Sequence, residues 1–228
     1  MKTHFKDFTN THPTKIQEEL DHVIIDHKGI YEPPRMMVFE NYWSNTMFTG
    51  FNNQSCQPFL QNIGQMIGEP VNVRHRFIHS LQDLQYYLTK PGGVLWDVPE
   101  EFSITYFGFH GNHTGFPLPN SHISKNDILE LCRGFNDFPT VLYFNSCSLF
   151  EDDDQFGYDL LTCGKGIKGV VGYKKIVPFT VGLIIDLIFV STFFMYKVGD
   201  PFTDIQSIYN CVVSDFPYSQ QLGYTLYC

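Results

Sequence analysis

A basic stripe, a metal-type cysteine spacing and an apolar leader are all missing from this chain. Lysine and arginine number 15 against 24 aspartates and glutamates, a formal charge of −9. Nothing in that balance neutralises phosphates, so a nucleic-acid partner is excluded from the expectations. The six cysteines (Cys56, Cys132, Cys147, Cys163, Cys211 and Cys228) include no Cys-x-x-Cys pair or other ligand-like spacing. Several lie in apolar or helix-like stretches, as buried reduced thiols do, and the opening Met1-Lys-Thr-His-Phe-Lys-Asp is polar. Both features point to a reducing, cytoplasmic setting rather than secretion. Charged residues are also scarce, at 17%, while aromatics reach 16%. That composition excludes a disordered chain and suits one sizeable core in a chain of 228 residues. Internal repeats and low-complexity segments are absent as well.

What is present is an alternation of strand-like and helix-like stretches. Residues 1–35 carry few signals beyond a possible short helix from Thr14, and are expected to be an N-terminal extension. From Met36 the rhythm sets in. Met36–Phe39 reads as a strand, and Gln57–Ile67 has helical spacing ended by Gly68 and Pro70. Val71–Ile78 alternates as a half-buried strand, and Ser80 is placed to cap a helix over Leu81–Leu88. A strand over Ile104–Phe109, a loop over Gly111–Ser124 and a helix over Asn126–Arg133 follow. The Val141–Phe144 strand, a helix over Gln155–Cys163 and a strand over Ile167–Tyr173 come next. Helices over 179–198 and 204–213 and a last strand within 222–227 complete the pattern. Such alternation predicts a mostly parallel sheet with helices on both faces, in a domain spanning 36–228.

Two of these strands end on reactive side chains. Phe102-Ser-Ile-Thr-Tyr-Phe-Gly-Phe stops on His110-Gly111, and Val141-Leu-Tyr-Phe stops on Asn145-Ser-Cys147-Ser. Sites in open α/β sheets lie outside the carboxyl ends of the strands, so both residues fall on the site edge. A cysteine in a strand is ordinarily core, and a lone His-Gly carries little. Their shared position makes them a candidate thiol–imidazole pair, in which the imidazole keeps the thiolate nucleophile available near neutral pH. Gly111 permits close approach of a carbonyl, and its N–H with that of Cys147 offers an oxyanion site.

The order strand–His–Gly, helix, strand–x–Ser–Cys–Ser resembles the caspase-like cysteine peptidase clan of caspases, metacaspases and CHAT proteins, and is closest to bacterial CHAT-type domains. The resemblance spans about 36–228 in element order and rests on a handful of motif residues. It implies a caspase–haemoglobinase-like fold, a three-layer α/β/α sandwich with a mostly parallel central sheet. It implies peptide-bond cleavage with His110 as base, Cys147 as nucleophile and Gly111 as oxyanion donor. Asn145, two residues before the cysteine, would line the pocket for the substrate side chain amino-terminal to the cut. Bacterial relatives of the clan often act in defence or regulated death. The Gln-Ala-Cys-x-Gly signature of animal caspases and the Asp-Ser-Cys of metacaspases are absent, so neither side-chain preference carries over.

Other positions bear on specificity. The acidic run Glu151–Asp154, with Asp152 at its centre, is placed to attract a basic substrate side chain or to bind calcium, or else to form a solvated loop before a helix. Tyr173 and Lys174 end the next strand and face the same edge, where Lys174 or Lys175 would select an acidic residue. His75, His79 and His113 lack a companion carboxylate or cysteine in ligand spacing, so no metal or other cofactor is expected. Val177–Val198 is apolar almost all round, but Asp186 at its centre would cost ~2.5–3.5 kcal/mol in a membrane. A core helix, or one burying its outer face against a regulatory protein or a second copy, fits better than a span. Two function classes follow: a cysteine endopeptidase acting on a protein or peptide, and a non-catalytic caspase-like scaffold.

Overall fold

In the computed structural model, residues 34–41, 55–88, 102–119, 121–133, 139–151, 153–196 and 199–228 are described. The expected extension falls almost wholly outside them, as does the helix at Thr14. The first strand, β1 (Arg35–Glu40), is buried from Met36 onward on both faces, which calls for cover on each side. Two short helices, α1 (Gln57–Leu60) and α2 (Ile63–Ile67), lead to β2 (Asn72–Phe77), α3 (Leu81–Leu88) and β3 (Phe102–Gly108). A hairpin of β4 (Gly115–Leu118) and β5 (Ser121–Ser124) precedes α4 (Lys125–Cys132) and β6 (Thr140–Asn145). Then come α5 (Asp154–Cys163), β7 (Ile167–Tyr173), the long α6 (Phe179–Met195), α7 (Ile205–Asp215), α8 (Tyr218–Gln221) and β8 (Tyr224–Tyr227).

The main sheet has the order β2-β1-β3-β6-β7-β8. Its pairings are parallel except the last, where β8 runs against β7. Side-chain alternation divides the core in two. Met37, Phe39, Phe107, Leu142, Phe144 and Val170 pack with α3, α4 and α5. Met36, Val38, Ile104, Tyr106, Val141, Tyr143, Val171 and Tyr173 pack with α1, α2, α6 and α7. The result is an α/β arrangement of three layers with a mostly parallel sheet between helices, as the alternation predicts. Residues 34–228 form one compact unit.

Three elements differ from the sequence expectation. The helix over 57–67 is broken at Gln61–Asn62, where the Asn62 amide donates to Pro58 O at 2.7 Å and offers the backbone a non-helical alternative. It closes as expected on Gly68, whose φ of 71° is the left-handed cap that glycine adopts freely. The loop over 111–124 contains the hairpin, whose register places the buried Phe116 and Ile123 opposite each other. Four-residue strands, one interrupted by Pro117, give too few alternations to read as a period. The long apolar helix ends at Met195, and Lys197 and Val198 lie outside the described residues. Among the described residues, no helix is long and apolar enough to cross a membrane.

The start of α4 is fixed by a capping box. Ser124 Oγ accepts from Asp127 N, and the Asp127 carboxylate accepts from Ser124 N. Ser124→Ala is expected to destabilise the protein by about 1 kcal/mol, read as a lower urea midpoint at unchanged slope.

Candidate functional site

The parallel ladder between β3 and β6 determines where the two reactive side chains go. Gly108 is in register with Asn145, and one step on, Phe109 N donates to Asn145 O at 3.3 Å. His110 and Cys147 each follow two residues beyond that last register pair. Both have the parity of Tyr106 and Tyr143, and Cys147 packs at the edge of the α6-side cluster. Both are partly exposed. Beyond the ladder the two chains stay in close contact. A methyl on Gly111 would lie 2.6 Å from Cys147 O, 2.7 Å from Ser146 Cβ and 3.0 Å from Cys147 N. Only glycine allows this approach. His110-Gly111 and Ser146-Cys147 are thus brought together at the carboxyl edge, with the Gly111 and Cys147 backbones side by side.

The chain turns sharply after the thiol. Ser148 has φ 53°, a left-handed conformation that costs a non-glycine residue of order 1 kcal/mol and persists only when its surroundings impose it. The restraints come from the segment after β7: Ser148 N donates to Lys175 O at 3.1 Å and Phe150 N to Tyr173 O at 3.3 Å. The same segment reaches the thiol. Val177 N donates to Cys147 Sγ at 3.3 Å, and Sγ lies 3.5 Å from Val177 O. Val177 is two residues from the start of α6, so the thiol is held between its own turn and the approach to that helix.

Below the edge lies a buried polar cluster centred on Asp186, in the middle of α6. Its carboxylate accepts from Tyr106 Oη at 2.6 Å, Tyr143 Oη at 2.7 Å, Tyr173 Oη at 3.0 Å and Asn145 Nδ2 at 2.6 Å. Asn145 Nδ2 also donates to Tyr106 Oη at 2.8 Å. Burial pushes the Asp186 carboxyl up to about 7, against the opposing pull of the three tyrosine hydroxyls. The tyrosines are raised well above their ordinary range, by burial first and the neighbouring carboxyl second.

This cluster relocates two residues expected in the substrate pocket. Asn145 is 1% exposed and Tyr173 is fully buried, each bound to Asp186. Their side chains lie in the interior, because the parity that brings Cys147 toward α6 also turns Asn145 and Tyr173 into that layer. Lys174 pairs with Asp154, whose carboxyl it holds below the usual range. Lys175 Nζ donates to Gln221 O at 2.9 Å. Asp153 caps α5 through Phe156 N and pairs with Lys125 at 2.6 Å, while Asp154 also accepts from Tyr227 Oη. Two members of the acidic run therefore have structural partners; Asp152 lies outside the described residues. His75 belongs to a separate cluster, with Nε2 2.7 Å from the buried Glu40, whose carboxylate also takes Ser55 Oγ and Cys56 N.

No protein-family model matches the sequence, and no curated protein sequence matches it. The chemistry therefore rests on the residues themselves. Sequence reasoning missed Val177, Tyr106 and Tyr143 as parts of this edge. Val177 touches the thiol through its backbone, which leaves no mark on residue choice. The tyrosines did leave a signal: Tyr106 and Tyr143 share one register pair, and Asp186 is the lone acid of an otherwise apolar helix. A buried carboxylate needs donors, and hydroxyls at one register position supply them.

Proposed function

We propose that the chain is a caspase-like cysteine endopeptidase that cuts a protein or peptide through Cys147 and His110. The observation that supports this reading is the Gly108–Asn145 register, with the close approach of Gly111 to Ser146 and Cys147 beyond it, at the ends of two adjacent central strands of the sheet. The three-layer arrangement is compatible with the caspase–haemoglobinase-like sandwich that the resemblance implies.

In this reading His110 accepts the Cys147 thiol proton as Sγ attacks the scissile carbonyl. The tetrahedral oxyanion is held by the N–H groups of Gly111 and Cys147. Its collapse breaks the C–N bond, and His110 passes the proton to the departing amine. Water, deprotonated by the same imidazole, then attacks the thioester and releases the acid and the free thiol. A reducing compartment keeps that thiol available, and all six cysteines are free. Specificity is sought at exposed positions around the edge, including Glu151, Lys175 and Ile176, rather than at Asn145 or Tyr173.

The test is a proteome-wide comparison of new amino termini produced by wild type and by Cys147→Ala. Cleavages confined to wild type and lost in His110→Ala are expected, and their alignment would give the substrate preference. Identical profiles for wild type and Cys147→Ala would instead favour the non-catalytic scaffold.

A further inference from the structure

We propose that Asp186 is the positioning residue of the thiol, fixing Cys147 relative to His110 from two sides through one buried carboxylate. The inference rests on the Cys147–His110 reading above. The first route runs through β6. Asp186 Oδ2 accepts from Asn145 Nδ2, which also donates to Tyr106 Oη, and Tyr106 Oη donates back to the same oxygen. This closed triangle ties β6, two residues before Cys147, to β3, four residues before His110. It fixes the relative height of the two strand ends that carry the pair.

The second route runs through α6. Gly182, one helical turn before Asp186, packs against Asn145 and Val177. A methyl there would sit 3.1 Å from both Asn145 Oδ1 and Val177 Cγ1. Tyr173 Oη lies 3.0 Å from Asp186 Oδ1 and 3.4 Å from Gly182 O, tying β7 to the same turn. The helix pinned by Asp186 therefore sets the position of Val177, whose N–H meets Sγ. A carboxylate in the middle of a helix with mean apolar character is costly to bury. A leucine there would fill the layer without that cost. What the acid adds is direction, because four donors from β3, β6 and β7 converge on two oxygens. The partners Asp186 holds are Tyr106, Tyr143, Tyr173 and Asn145, and through them it acts on the position of the strand ends.

The experiment measures alkylation of the intact protein by iodoacetamide across pH 5.5–9.5, resolved by cysteine with peptide mass spectrometry. Four proteins are compared: wild type, His110→Ala, Asp186→Asn and Tyr106→Phe. The buried Cys132 reports unfolding, since it should stay unmodified in any folded variant. In wild type Cys147 is expected to label at pH 7 at least tenfold faster than in His110→Ala. Asp186→Asn is expected to bring the rate toward the His110→Ala value, about tenfold below wild type, with Cys132 still protected. Tyr106→Phe, which removes the hydroxyl common to the triangle, is expected to slow labelling by a smaller factor. It decides the matter if Asp186→Asn exposes Cys132. An unchanged rate in the folded variant, alongside a clear His110→Ala loss, overturns the role of Asp186 and leaves the dyad standing. If His110→Ala itself causes no loss, the dyad reading falls, and this inference with it.

Discussion

Gly111→Ala is expected to lower Cys147-dependent peptide cleavage by about 10³-fold, although both reactive side chains are retained. The added methyl meets backbone atoms, Cys147 O at 2.6 Å and Cys147 N at 3.0 Å, together with Ser146 Cβ. None of these can rotate away as the tip of a long side chain would. The ends of β3 and β6 must therefore separate. Misplacing catalytic groups by about 1 Å commonly costs ~10²-fold. Loss of one oxyanion donor costs another ~10²–10³-fold, with partial overlap because one displacement causes both. Overpacking adds a stability cost of roughly 1–3 kcal/mol, which a urea titration separates from the catalytic loss. Comparison of kcat/KM on a peptide found by terminus profiling decides it. A loss smaller than about tenfold would show that the Gly111 contact does not set the site.

Stability should fall by about 3 kcal/mol between pH 4 and pH 7 through Asp186 alone. In the folded protein its carboxyl titrates near 7, whereas its ordinary value is 3.8. Between those limits the folded state holds a proton that the unfolded state has released. Folding then takes up a proton, and raising the pH opposes it. The contribution is greatest below about pH 4 and exhausted above about pH 7. The groups facing this carboxyl are Tyr106, Tyr143 and Tyr173, with Asn145; Tyr224 and Cys56 also feel its charge. None of those hydroxyls or thiols titrates in this interval, because burial raises them all. Asp153 and Asp154 act in the opposite sense, since their partners hold them below the usual carboxylate range and their stabilisation is lost only under more acid conditions. Unfolding free energies from urea titrations at pH 4, 5, 6 and 7 should decline in wild type and decline much less in Asp186→Asn. Parallel slopes would contradict the assignment of the titration to Asp186.

The layers of the fold were legible because the parallel strands are apolar on both faces and separated by amphipathic stretches. Val141–Phe144 and Ile167–Tyr173 stand almost where the pattern puts them. The break at Asn62 was not legible, since it turns on a side chain competing for one carbonyl. At the site, the sequence marks His110 and Cys147 as neighbours on one edge, and beyond the register of β3 on β6 the Gly111 and Cys147 backbones come together. The faces were harder to read. Asn145 and Tyr173 sit at strand ends, where a polar residue is as able to line a cleft as to satisfy a buried acid. Which of these occurs depends on Asp186, some forty residues beyond Asn145 in the chain, and no local pattern connects the two.

The strand order has one more consequence. β3 and β6 are each hydrogen-bonded to a neighbour on both sides, while β2 and β8 stand at the margins of the sheet. Fluctuations that open a protein locally begin where backbone bonds are few and shared with solvent, so the margins fray long before the middle. A pair of groups mounted on the two middle strands can ride through such breathing without losing alignment. The bonds that hold the sulfur lie instead in the turns at the rim, at the Ser148 bend and the Lys175–Val177 span.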